Sequence, residues 1–187
     1  LSAVSLSSNG TYSLTVSFGP CVATNTTNVL VNALPSATAT NNGPICETKK
    51  FILDVNSSTS ILMSFIWQGP LQFVSYVKAA PRDSSVLNHS GLYTVTVTDN
   101  FGCKSSVTTS VTVMNNPTVT SSNATVCLND PAFLTANGAS TYSWWDLNGN
   151  FSNTQKATVS KSGNPNPTTY TVVGQSVNSC TAIAVST

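Results

Sequence analysis

The chain has 187 residues, of which 7 are Lys or Arg and 6 are Asp or Glu, for a formal net charge of +1. A soluble domain usually carries about a quarter charged residues, so Ser, Thr and Asn must supply most of the polar surface here, solvated without being ionised. Binding nucleic acid needs clustered Lys and Arg, and Lys49-Lys50 is the one basic pair; no apolar run approaches the roughly 20 residues of a membrane-spanning helix, and the longest, Ile61 to Trp67, is broken by Ser64.

The chain opens on Leu1 with no starting Met and no charged-then-apolar leader, and Leu1 is expected to be a processed terminus or a fragment edge. Gly10-Thr11-Tyr12-Ser13-Leu14-Thr15-Val16 then alternates apolar and small polar residues, the pattern of a strand with one buried and one wet face. The pattern returns at Gly91-Leu92-Tyr93-Thr94-Val95-Thr96-Val97 and at Pro167-Thr168-Thr169-Tyr170-Thr171-Val172-Val173, each copy followed by a cysteine, Cys21, Cys103 and Cys180. Repetition at that spacing predicts tandem all-β modules.

Residues 1–34 hold only the last hairpin of a module. Either the rest of it has been removed, or its missing strands come from another chain by strand donation. A second module is expected over 35–116 and a third over 117–187, each opening on a proline that ends the pairing of the strand before it, Pro35 and Pro117.

In the second, Cys46 precedes the strand Phe51-Ile52-Leu53-Asp54-Val55; in the third, Cys127 precedes Ala132-Phe133-Leu134-Thr135-Ala136 at the matching offset. Phe65 and Trp67 correspond to Tyr142 and Trp144, aromatics at alternate positions on a central strand. The copies diverge through Leu71 to Val86 and Phe151 to Val159, where edge strands and loops are expected. Asp99-Asn100-Phe101-Gly102 reads as a hairpin turn. About seven strands per module is the arithmetic of a β-sandwich.

The Gly91 to Cys103 string, the upstream Cys46 and Cys127, the Leu134-Thr135-Ala136 strand and the Trp on the next strand resemble the tandem immunoglobulin-like and PKD-like repeats of large secreted surface proteins of Bacteroidota-type bacteria. The resemblance covers nearly the whole chain and implies an extracellular setting and a fold of tandem immunoglobulin-like sandwiches. Such repeats occur in adhesins, filaments, stalks and enzyme-tethering arms alike, so the fold does not name a function. In the third copy Asn164-Pro165-Asn166-Pro167 replaces the Gly-x before Tyr170, and Gly174 interrupts the strand, so a distorted sheet edge is expected.

Cysteine usage fits an oxidising compartment. In antibody domains the disulfide joins two core strands behind the Trp, whereas here the second cysteine follows the turn after the Tyr strand. Bridges Cys46–Cys103 and Cys127–Cys180 are therefore expected at the edge or end of each sandwich, with Cys21 unpaired. Each would close a loop of about 50 to 60 residues and contribute on the order of 4 kcal/mol.

Little in the chain supports catalysis. The one histidine, His89, has no nucleophile elbow to serve and is expected in an exposed turn. The acids Glu47, Asp54, Asp83, Asp99, Asp130 and Asp146 are scattered, not paired as a glycosidase would need. Asp146-Leu147-Asn148-Gly149-Asn150 has the oxygens of a calcium loop but lacks its terminal Glu, and reads as a hairpin turn. No Cys-x-x-Cys spacing suggests zinc; neither metal nor cofactor is expected.

Trp144 and Trp145 must face opposite sides of their strand. Trp145 is expected outward, a candidate ligand or subunit contact. Asn-x-Ser/Thr sequons at Asn9, Asn25, Asn56, Asn88, Asn123 and Asn150 are candidate glycosylation sites. The expected role is that of a non-enzymatic, extracellular structural protein, a repeating module of a surface filament, fibril or stalk that self-associates head to tail. The alternatives are an adhesin or carbohydrate-binding module, and an accessory arm of a secreted hydrolase.

Overall fold

The structure, a computed structural model, describes residues 4–57, 63–127, 129–160 and 169–187. Leu1, Ile61, the Asn164–Pro167 run and Thr168 lie outside the described residues. The fold is all-β and immunoglobulin-like. Its described residues gather into two compact units. The first comprises the described residues within Leu1–Asn41, Ile52–Ala80 and Leu92–Ser110; the second comprises those within Asn42–Phe51, Pro81–Gly91 and Val111–Thr187.

In chain order, a 3-10 turn at Leu6–Ser8 leads into β1 (Gly10–Phe18) and β2 (Cys21–Val29). These pair antiparallel from Gly10↔Val29 to Phe18↔Cys21 as a sheet of their own. Every residue of both strands is exposed. Next come β3 (Ala37–Asn41), β4 (Ile45–Cys46), β5 (Phe51–Ser57), β6 (Ser64–Gly69), β7 (Phe73–Ser75), β8 (Ala80–Arg82), β9 (Gly91–Thr98), β10 (Lys104–Val111) and β11 (Val113–Met114). They form sheets in the orders β3-β5-β8, β10-β9-β6-β7 and β11-β4.

Strand alternation dictates what the first unit buries. Leu53 and Val55 of β5, Trp67 of β6, and Tyr93, Val95 and Val97 of β9 are all fully buried, while their chain neighbours face outward. The Trp67 indole N–H donates to the Lys78 carbonyl, 3.3 Å away. Phe73 meets the Tyr93 ring edge-on at 5.5 Å. Gly69 lies so close to that ring that no Cβ fits between them.

The second unit repeats this plan with β12 (Thr120–Ser121), β13 (Ala132–Asn137), β14 (Thr141–Asp146), β15 (Gly149–Ser152), β16 (Lys156–Val159), β17 (Tyr170–Gln175) and β18 (Thr181–Ser186). The sheet orders are β12-β13-β16 and β15-β14-β17-β18. Leu134, Ala136, Tyr142, Trp144, Ala157, Tyr170 and Val172 form the core between them. The Trp144 indole N–H donates to the Thr154 carbonyl at 3.0 Å, as Trp67 does to Lys78. The divergent stretches of the two copies are the short strands β7 and β8, and β15 and β16.

Candidate functional site: a long-range disulfide and an apolar sheet face

Two turns recur in both copies. After Cys46, the Lys49 N–H returns to the Cys46 carbonyl with Thr48 at positive φ; after Cys127, the Asp130 N–H returns to the Cys127 carbonyl with Asn129 at positive φ. Ahead of the other cysteines, Asp99 Oδ1 accepts the Cys103 N–H at 2.9 Å and Ser176 Oγ accepts the Cys180 N–H at 3.2 Å. Gly102 and Ser179 take the positive φ of these two hairpin turns.

Equivalent turns do not make equivalent bridges. The disulfide joins Cys46 to Cys180, with Cα atoms 5.5 Å apart and a sequence separation of 134. The expected pairs Cys46–Cys103 and Cys127–Cys180 are not formed: Cys103 and Cys127, like Cys21, are free thiols. The physical reason is location, since Cys103 belongs to the first unit while Cys46 and Cys180 both belong to the second. Cys127 is exposed, whereas Cys180 is fully buried beneath its turn.

Hydrogen bonds surround the bridge. β4 runs parallel to β11 in the register Val113↔Ile45 and Met114↔Cys46. The Ile45 N–H donates to the Thr112 carbonyl at 3.0 Å and the Glu47 N–H to the Met114 carbonyl at 2.9 Å. The Ser85 hydroxyl donates to the Cys46 carbonyl at 2.9 Å, and Asn116 Nδ2 donates to the Glu47 carbonyl at 3.3 Å. A cleft of about 620 Å³ opens in the same unit, with Asn115, Asn116, Ser140, Ser176, Val177 and Asn178 among its walls.

His89 corrects its expectation. It closes a 3-10 turn, Leu87–His89, and is buried instead of exposed. Its ring meets Phe51 edge-on, centroids 6.5 Å apart. Nε2 lies 2.9 Å from Arg82 Nη2, which can only donate, and Nδ1 lies 3.2 Å from the Val86 N–H. Burial first, and the Arg82 charge second, hold its pKa below the ordinary imidazole value.

The two tryptophans part as alternation requires: Trp144 is fully buried and Trp145 is 44% exposed. On the outer face of β15-β14-β17-β18, Trp145 is in register with Thr171 and Thr171 with Val185; Ser143 is in register with Val173 and Val173 with Ile183. Ile183 and Val185 are more than half exposed. The outer face thus carries an apolar patch with Trp145 at one side.

Asp146 closes the β14–β15 turn, its Oδ1 accepting the Asn148 N–H at 2.7 Å, and Gly149 takes positive φ. Among the described residues no group of three or more His, Cys, Asp or Glu is placed to hold a metal ion. The sequon residues Asn9, Asn25, Asn56, Asn88, Asn123 and Asn150 are all exposed. Asn9 is the most engaged of them: its Nδ2 donates to the Leu6 carbonyl at 2.9 Å and its Oδ1 accepts the Val31 N–H.

No protein-family model matches the chain, and no curated protein matches it. Among solved structures it is similar to the three N-terminal domains of the outer capsid protein Hoc of bacteriophage RB49, at 18% identity and a TM-score of 0.41, covering 82% of this chain and 57% of that one. It is similar to murine CEACAM1b at 13% identity and a TM-score of 0.38, covering 81% and 96%. It is also similar to the two-domain IG1+IG2 structure of DIP-gamma, at 11% identity and a TM-score of 0.39, covering 83% and 96%. The chain therefore spans a little over half of the Hoc structure, and these likenesses concern the fold alone.

Proposed function

We propose that the chain is an extracellular, non-enzymatic structural segment: immunoglobulin-like modules over 35–116 and 117–187, with the hairpin of 1–34 as part of another, serving as the repeating portion of a surface filament or stalk. The observation that carries this reading is the Cys46–Cys180 bridge, which ties the second sequence repeat to the third. A covalent tie between residues so far apart in sequence limits how far a pulled chain can unravel, which suits a fibre under tension. Such a bridge persists in oxidising compartments, and the low charge leaves little long-range repulsion between copies.

The test is electron microscopy and sedimentation of the unreduced protein over a concentration series. End-to-end association growing with concentration is the expected result; a single monomeric species throughout overturns the assembly role.

A second reading, a carbohydrate-binding module, is favoured by the exposed ring of Trp145, since an outward aromatic offers a flat apolar platform to a sugar. Its test is a glycan-binding screen of the chain beside Trp145→Ala, with binding lost in the variant as the expected result.

A further inference from the structure

The bridge joins two kinds of cysteine, and each kind has an unbonded twin. Cys46 leads the second sequence repeat ahead of β5, and Cys127 leads the third at the same offset ahead of β13. Cys103 trails the second repeat and Cys180 the third, each immediately before a strand, β10 and β18. Cys46 is bonded to Cys180, while Cys103 and Cys127 are free thiols. The bond thus runs from the leading cysteine of one repeat to the trailing cysteine of the repeat that follows it in sequence.

The twins match in backbone as well as in position. The Lys49 N–H donates to the Cys46 carbonyl at 3.2 Å and the Asp130 N–H to the Cys127 carbonyl at 3.0 Å. Thr48 and Asn129, next but one after these cysteines, take φ of +67° and +71°. The Asp99 N–H donates to the Cys103 carbonyl at 3.0 Å and the Ser176 N–H to the Cys180 carbonyl at 2.8 Å. Gly102 and Ser179, just ahead of these cysteines, both have positive φ. A disulfide needs two Cβ atoms held within a narrow range of separation and direction, and the Cys46–Cys180 bond shows that turns of these two types meet that demand. Cys127 carries the first type of turn and is exposed; Cys103 carries the second and is half-buried.

Cys21 belongs to neither type. It is the first residue of β2 and pairs with Phe18 across a tight hairpin, where the positive φ falls on Gly19 instead of the residue next to the cysteine. It is as exposed as Cys127, so it separates turn geometry from mere access.

Chain order separates one copy from two. Within a single chain the trailing-type Cys103 precedes the leading-type Cys127, the reverse of Cys46 and Cys180. Cys127 of one copy and Cys103 of the next stand in the bridged order. We infer that Cys127 of one copy forms a disulfide with Cys103 of a second copy, repeating between chains the bond that Cys46 and Cys180 make within one. Each copy offers one half of each kind, so the link is heterologous and propagates. This inference rests on the assembly reading and names its covalent link.

The oxidant is a small-molecule disulfide such as oxidised glutathione. The exposed Cys127 gives up its proton to solvent, and its thiolate attacks one glutathione sulfur, breaking that S–S bond and releasing one glutathione thiolate. The Cys103 thiolate of the second copy then attacks the Cys127 sulfur of the mixed disulfide and expels the second glutathione thiolate. Two protein thiols are oxidised, one glutathione disulfide is reduced to two thiols, and the two protons released are taken up by the two leaving thiolates.

The test starts from monomer with the 46–180 linkage formed and Cys103 and Cys127 reduced, oxidised in a glutathione buffer over a protein concentration series. Non-reducing gels of the parent chain are expected to show a ladder of covalent oligomers. Peptide mapping of the ladder is expected to find 103–127 at least tenfold over 127–127, 103–103 and every Cys21 linkage. Cys103→Ser and Cys127→Ser, each checked for native circular dichroism, are expected to stay monomeric alone and to form a 1:1 heterodimer when mixed, with one 103–127 linkage and no further growth. Parent chain alkylated before oxidation gives the same loss of the ladder without any substitution. An unselective mixture of linkages, an oxidised monomer carrying 103–127 within one chain, or thiols that stay free overturns the link. If the chain still associates end to end in any of those cases, the assembly reading stands without it; a parent chain that never associates overturns both.

Discussion

Cys46, at the end of β4, and Cys180, just ahead of β18, are joined by a disulfide within the second unit. The bridge closes a loop with a sequence separation of 134. The loop-closure relation puts its contribution at about 5 kcal/mol, through the entropy it removes from the unfolded chain.

Cys46→Ala/Cys180→Ala is therefore expected to lower unfolding stability by up to that amount, read from guanidinium melts. The parent chain under reductant should fall onto the same curve. Non-reducing peptide mapping should find one 46–180 linkage and alkylate Cys21, Cys103 and Cys127. A 46–103 or 127–180 linkage would replace the bridge between repeats with one clamp per repeat.

Alternation made the strands readable before any coordinates. Tyr93, Val95 and Val97, and Tyr170 and Val172, lie inward because period two leaves a pleated strand no other way to sort Thr from Val. Trp67 and Trp144 were legible for the same reason. The cysteine partners were not, because aligning two repeats fixes where a residue sits within its own repeat and says nothing about which repeat's turn comes to rest against it. His89 was missed on local grounds: Asn88 and Ser90 are polar and read as a surface turn, but the 3-10 turn rotates one of its three residues inward, and that residue is His89. The apolar face around Trp145 had a signal in the sequence, the exchange of Thr96 and Ser106 for Val173 and Ile183, which shows its meaning only once strand register puts those residues on one face.

His89 predicts a pH dependence whose sign follows from its neighbours. A neutral ring accepts from Arg82, whereas an imidazolium sets N–H groups against donors at both Nε2 and Nδ1. The folded pKa therefore lies below the unfolded value near 6.5, and between the two values the unfolded chain binds more protons. This stabilisation is complete above the unfolded value and is lost as pH falls through the folded one. Denaturant midpoints taken between neutral pH and the onset of carboxylate titration should decline with acid, and His89→Gln should flatten the slope. An unchanged slope in the variant would assign the decline to another group.

The turn between β13 and β14 offers a test in which two neighbouring substitutions separate by mechanism. The Tyr142 hydroxyl accepts the Ala139 N–H at 3.0 Å and donates to the Ala139 carbonyl at 2.9 Å, so one side chain satisfies both backbone groups of a partly buried residue. Tyr142→Phe removes both bonds without moving an atom into occupied space, and is expected to cost about 1 to 2 kcal/mol. Gly138, beside it, has φ of +93°, and a Cβ there would run into the Thr118 carbonyl. Gly138→Ala must pay for a left-handed conformation and displace backbone as well, so its expected cost is at least about 2 kcal/mol and larger than that of Tyr142→Phe. Guanidinium melts of the two variants should rank them in that order. The reverse ranking would mean that the segment around Thr118 yields freely, and that the hydroxyl bridge, not the close backbone approach, holds this end of the sandwich.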